Sequence, residues 1–182
     1  MDSNHKPFDN FEIIQTSRSS TNLIFYNNAF SKIKFITKIM ESHDLPILFL
    51  DFDLLFSGIF EAEYITRLPN IQVITPESET LKVLLPNILT KISSEKTIVI
   101  LDSLNGLYSF LDGDNLGRFV NSLIMLFAAN LKFSQSILFV TCMAQKKENV
   151  WVLPTGRHIL ESENINRFEI KETDSKIKIN VA

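Results

Sequence analysis

Apolar residues recur along the chain in two rhythms. Apolar runs at residues 23–26, 47–50, 97–101 and 137–141, with a shorter stretch at 71–74, have the length and lack of alternation of strands buried on both faces. Between several of them the spacing turns helical. Residues 29–40 place Ala29, Phe30, Ile33, Ile36 and Met40 on one side, and residues 78–93 repeat Leu81, Leu84, Leu85, Ile88, Leu89 and Ile92. Residues 116–131 carry the broadest stripe: Phe119, Val120, Leu123, Ile124, Phe127 and Leu131. Pro86 is expected to kink or split its helix, because proline removes a donor and crowds the preceding turn. After residue 150 the pattern shortens. Residues 150–153, 157–160, 165–171 and 176–181 read as successive strands, and residues 172–175 as a hairpin turn between the last two.

Strand and helix in repeated alternation imply right-handed crossovers and a parallel sheet covered on both sides by helices. The expected fold is therefore an α/β three-layer domain, with antiparallel strands added at its C-terminal edge. Residues 1–21 are polar apart from an apolar patch at 8–14 and are expected to be a tail; residues 22–182 form the single domain.

The composition fits this picture. Of 182 residues, 45% are apolar and 21% charged, which can bury a core and is unlike a disordered chain. No apolar run approaches the roughly 20 residues of a membrane helix, so no membrane partner is expected. One cysteine, Cys142, excludes an internal disulfide and a cysteine metal cluster. With a polar N-terminus, the expectation is a cytoplasmic protein. A net charge of −3 argues against a strongly electrostatic nucleic-acid binder.

In parallel α/β sheets ligands bind beyond the carboxyl ends of the strands. Those positions hold Asn27 to Ile33 after the first strand, Asp51 and Asp53 after the second, Asp102, Ser103 and Asn105 after the fourth, and Cys142, Met143 and Gln145 after the fifth. Carboxylates on two strand ends beside a strand-to-helix turn are the layout of a nucleoside triphosphatase, one to hold magnesium and one to orient water. A phosphate cradle, however, needs glycines, a lysine and a serine or threonine. This turn has no glycine. Asn27 stands in the place of the first glycine, Lys32 follows one residue early, and Ile33 occupies the metal-ligand position. ATP hydrolysis and ordinary triphosphate binding are therefore not expected. Taken singly, each aspartate has a simpler explanation as a turn former or helix cap.

In order and spacing these segments resemble the RecA/RadA superfamily. Residues 97–107 are similar to its Walker B strand, which ends in Asp-Ser-Leu, and residues 48–53 to the second strand, with Asp53 at the catalytic glutamate position, one methylene short. Residues 137–145 resemble the sensor strand, although Gln145 lies late. Residues 154–160 and 166–168 are similar to the family's Pro-x-Gly-Gly segment and closing hairpin. With its phosphate loop lost and its nucleotide site, Asn27, Lys32, Ile33, Asp53, Asp102 and Ser103, degenerate, the chain looks like the ATPase-dead members. These include recombinase paralogues, Shu-type accessory proteins and the small RecA-like subunits of Elongator. The resemblance implies no catalytic residue, no cofactor, no metal, and action by protein contact. The implied partner is a RecA-family recombinase or paralogue, or a second copy. A divergent ATPase and a scaffold subunit of an Elongator-like tRNA-modification complex are the alternatives.

Phe8 and Phe11 resemble the Phe-x-x-Ala segment that links recombinase protomers; Trp151, Arg157 and His158 are further interface candidates. Lys146 and Lys147 are candidates for a weak single-stranded DNA contact, or a solubilising turn. Lys32, Lys34 and Lys38 read most simply as a solvated helix face. Cys142 is expected to be a buried small hydrophobe.

Overall fold

The computed structural model of the chain describes residues 8–9, 21–64, 69–111, 116–148, 150–154, 165–173 and 176–182. In chain order the elements are β1 (Phe8–Asp9), β2 (Thr21–Tyr26), α1 (Ala29–Glu41), β3 (Ile47–Asp51), α2 (Leu55–Glu61), β4 (Ile71–Ile74) and α3 (Ser78–Ser94). There follow β5 (Ile98–Asp102), α4 (Leu104–Phe110), α5 (Leu116–Ser134), β6 (Ile137–Met143), β7 (Gln145–Lys147), β8 (Val150–Val152), β9 (Ile165–Thr173) and β10 (Lys176–Val181).

One eight-stranded sheet runs in the order β1-β10-β9-β2-β6-β5-β3-β4. The six strands from β9 to β4 are mutually parallel. β10 turns back antiparallel to β9, and β1 lies parallel to β10 at the edge. The expected antiparallel edge is thus present, but β9 itself joins the parallel set. β8 is not in the sheet: it pairs with β7 in a separate hairpin, Lys146 opposite Trp151. Thr21, placed in the tail by the sequence, opens β2, and Phe8–Asp9 supply an edge strand.

β2, β3 and β5 are buried along their whole length, as their unbroken apolar runs require. Two cores form, one on each side of the sheet. One gathers α3, α4 and α5 over Leu48, Leu50, Val99, Leu101, Leu138 and Val140. The other sets Phe35, Ile36, Ile39 and Met40 of α1 against Phe49, Ile98, Ile100 and Phe139. Alternate residues of the same strands feed opposite cores, which is the period of two that a pleated strand imposes.

Two expectations change. α3 is not split at Pro86. The ring lies on the exposed face, where water can reach the carbonyl it leaves unbonded, and Thr90 Oγ1 donates to the Pro86 carbonyl at 2.9 Å. On α5 the stripe Val120, Leu123, Ile124, Phe127 and Leu131 is buried, but Phe119 is 48% exposed and does not belong to it.

Candidate functional site

β2 ends at Tyr26 and the chain turns through Asn27 into α1. Asn28 is the cap: its side-chain oxygen accepts from the Phe30 amide at 2.8 Å. That oxygen occupies one of the free amides a helix N-terminus would otherwise offer to a phosphate. Phe30 itself is 75% exposed. Ile33 packs against the α1-side core and offers no oxygen to a metal.

Lys32 corrects the sequence reading. It is fully buried, not part of a solvated face, and its Nζ lies 2.8 Å from Asp102 Oδ2 and 3.0 Å from Asp53 Oδ2. The ammonium also sits 5.4 Å from the centre of the Tyr26 ring. Thr141, on β6, donates its hydroxyl to the other oxygen of Asp102. Four strand ends therefore converge on one cation. Of the other lysines on α1, Lys34 does face outward, where it pairs with Glu172.

The backbone around this cluster is tightly fitted. The Phe52 amide donates to the Asp102 carbonyl at 2.6 Å, joining the ends of β3 and β5. The Asp102–Ser103 peptide is cis. Ser103 caps α4 through the Gly106 amide at 3.1 Å. Gly106 lies directly on the β3 end, where a Cβ would stand 2.7 Å from the Phe52 carbonyl carbon and 2.8 Å from the Asp53 amide nitrogen. Asn105 grips β6 from both sides of its amide, accepting from the Met143 N–H at 2.7 Å and donating to its carbonyl at 3.1 Å. Asp53 Oδ1 accepts from the Leu55 amide, and Asp51 Oδ2 from the Ser57 amide, so both aspartates also hold the start of α2. Between Asp53 and α2, Leu54 takes a left-handed conformation with φ at 61° and leaves its side chain exposed.

Charge and burial compete here. Burial opposes the charge on Lys32, but Asp102, Tyr26 and Asp53 together outweigh it and the lysine pKa rises. Burial pushes Asp102 up to about 6, with Lys32 pulling it back toward ionisation. Asp53 also feels burial, yet Lys32 and the Leu55 amide hold its carboxyl below the usual range. Asp51, buried without a partner for Oδ1 among the described residues, is raised. Burial raises Tyr26 to about 12. Oxygens of Asp51, Asp53 and Asp102 lie within 4.8 Å of one another, a donor set suited to a hard divalent ion. In this structure the positive charge nearest to Asp53 and Asp102 is the Lys32 ammonium.

The residues of this cluster come from the carboxyl ends of β2, β3, β5 and β6 and the first turn of α1. No protein-family model matches the sequence, and no curated protein matches it. The crystal structure of a KaiC-like protein from the hyperthermophilic archaeon Pyrococcus horikoshii superposes with a TM-score of 0.54 at 13% identity, covering 95% of this chain and 83% of that one. The fold is RecA-like. At such identity the likeness is one of architecture: a mostly parallel sheet between helical layers, with antiparallel strands at the edge.

Within this RecA-like domain the other sequence candidates scatter. Asn27 lines a 240 Å³ cavity with Phe25, Tyr26, Gln145, Lys146 and Glu169, beside the Lys32 cluster and not in it. Trp151 stacks on Phe25 at 4.4 Å, and Lys146 Nζ lies 5.8 Å over the Trp151 ring. Lys147 is exposed on the same hairpin. Cys142 is buried, and burial raises its thiol pKa, as suits a core residue. Phe11, Arg157 and His158 lie outside the described residues, as does the side chain of Phe8. Sequence reasoning missed Tyr26 and Thr141 as members of the cluster. Their signal was position alone: each lies at or near the end of a strand flanking the turn.

Proposed function

We propose that this chain is a non-catalytic RecA-like protein that works by protein–protein contact, assisting a recombinase in DNA recombination or repair. The observation that carries the non-catalytic part is the buried Lys32 ammonium held by Asp53 and Asp102. A lysine that binds phosphate must present its charge to solvent or ligand. Here, withdrawing it would leave two carboxylates without their cation, a loss of roughly 3–5 kcal/mol for a buried pair. The turn has no glycine amides to repay that cost, and Asn28 already satisfies one of the amides present. Contact by apolar surface is supported at the same end of the sheet, where Phe30 and Leu54 stand exposed beside the cluster. The recombinase as partner rests on the order of the strand-end motifs.

Three carboxylates within 4.8 Å favour a second reading, a divergent ATPase that loads a divalent ion when Lys32 moves aside. Thermal unfolding with and without millimolar magnesium-ATP separates the two. A site with a Kd one hundredth of the ligand concentration stabilises by about 2.7 kcal/mol, a rise of roughly 5–10 °C for a chain of this size. The non-catalytic reading expects no rise, and a rise of that order would overturn it. Partner capture after nuclease treatment tests the recombination assignment. Recovery of a tRNA-modifying assembly without any recombinase would replace it with the scaffold alternative.

A further inference from the structure

The outer face of α5 carries the second departure from inside–outside order. The helix is 19 residues long and buries Val120, Leu123, Ile124, Phe127 and Leu131 in the core. On the opposite side Phe119, Met125, Leu126 and Phe133 are exposed, Phe133 by 81%. Ser122 and Ala129 are the small residues between them. At 100° per residue these six positions fall within an arc of about 120°, and Phe119 and Phe133 lie about 21 Å apart along the axis. A helix apolar on both sides is a helix with a second surface to cover. Its position is firm: α3 lies along its flank, where Ser93 Oγ meets Asn130 Oδ1 at 3.0 Å and Ser134 Oγ donates to the Ile92 carbonyl.

The charges of this face identify what would cover it. Among the described residues they are Arg118 at one end and Lys132 at the other, both exposed and both cationic. A second copy is a poor match. A two-fold contact of this face with itself sets each cation against itself or against the other, and both arrangements repel. We infer that the outer face of α5 is a docking surface for an amphipathic helix of a different protein, with an apolar stripe at i, i+3, i+4 and i+7 and carboxylates near both ends, about 21 Å apart. This surface lies on a helical layer, away from the strand-end cluster, and does not depend on what that cluster binds.

The test uses the full chain and two synthetic, fluorescently labelled helical peptides that share one leucine stripe. One ends in glutamates, the other in lysines. The glutamate-ended peptide should bind at least tenfold more tightly. Phe133→Asp and Leu126→Asp should each weaken it at least tenfold with unfolding midpoints unchanged, because both side chains are exposed. Arg118→Glu with Lys132→Glu should reverse the preference between peptides. Equal binding of the two peptides, or no binding of either, overturns the proposal. So does a dimer in sedimentation equilibrium that Phe133→Asp dissolves, which would name a second copy as occupant. Binding to vesicles containing phosphatidylserine that the same variant abolishes would name a lipid surface and overturn it too.

Discussion

α1 and α5 break the same rule in opposite directions. α1 is amphipathic and covers one face of the sheet, yet buries a lysine completely. α5 covers the other face and leaves two phenylalanines in water. Scattered exposed apolar residues are ordinary; a fully buried charge or a contiguous exposed apolar stripe is not. The two departures also differ in kind. Lys32 is satisfied within the chain, by two carboxylates and an aromatic face, so its burial completes a local structure. The stripe on α5 is covered by nothing among the described residues, and its proposed explanation lies in a partner.

Lys32 is the position most sensitive to substitution. Lys32→Met should destabilise the domain by about 3–5 kcal/mol, read from urea unfolding midpoints, because buried Asp102 and partly exposed Asp53 lose their shared counter-ion. Adding Asp102→Asn should return part of that loss, since it removes one of the stranded charges. Independent, additive losses would show that the pair is not coupled. A stable Lys32→Met chain that also lost its partner would mean the lysine serves binding directly.

Gly106→Ala comes next. The added methyl would press on the Phe52 and Asp53 backbone, which cannot swing aside as a side chain would. A cost of about 1–3 kcal/mol is expected. An unchanged midpoint would mean that α4 can shift away from the β3 end without penalty.

The pH dependence of stability reports on Asp102. Its pKa of about 6 stands above the ordinary 3.8, so between those values the folded chain holds more protons than the unfolded one. This carboxyl's contribution is therefore most favourable in acid and declines as pH rises from about 4 to 6. Asp53 has the opposite sign: its depressed pKa stabilises above the ordinary value and loses that effect as pH falls through the folded one. Asp102→Asn should flatten the slope of stability between pH 4 and 6, whatever it does to the absolute midpoint. Superimposable slopes for variant and parent would remove Asp102 as their source.

The smallest effect is expected on α5. Phe133→Ser should move stability by no more than about 0.5 kcal/mol, since exposed side chains away from special features contribute little. A loss above 1 kcal/mol would show that the phenylalanine packs within the chain, and the contrast with α1 would lose its second half.

β2, β3, β5 and β6 were legible because each carries a short continuous apolar run buried on both faces, whereas β9, with its mixed pattern, was read into the antiparallel edge and joins the parallel set only through its pairing with β2. α2 and α4 were not. Each has seven residues, under two full turns, too short for a helical period to separate from the strand end before it. β7 carries no apolar residue at all and is a strand only because β8 pairs with it. Phe119 was assigned to the core because its spacing sits at the margin of the buried stripe, and only packing decides where such a stripe ends.

For the site, the residue types and their strand-end positions were readable from the chain: Asp51, Asp53 and Asp102 after apolar runs, and a lysine in a turn without glycine. Local chemistry determines those features, since strand burial and the conformational demands of a phosphate loop act over a few residues. That Lys32 turns inward was decided by tertiary structure. Its partners lie 21 and 70 residues away, and their carboxylates meet its ammonium only after parallel pairing aligns Asp51 with Asp102 and brings β2 beside β6. A lysine's charge seeks water unless the fold brings it a compensating charge, and that compensation is long-range.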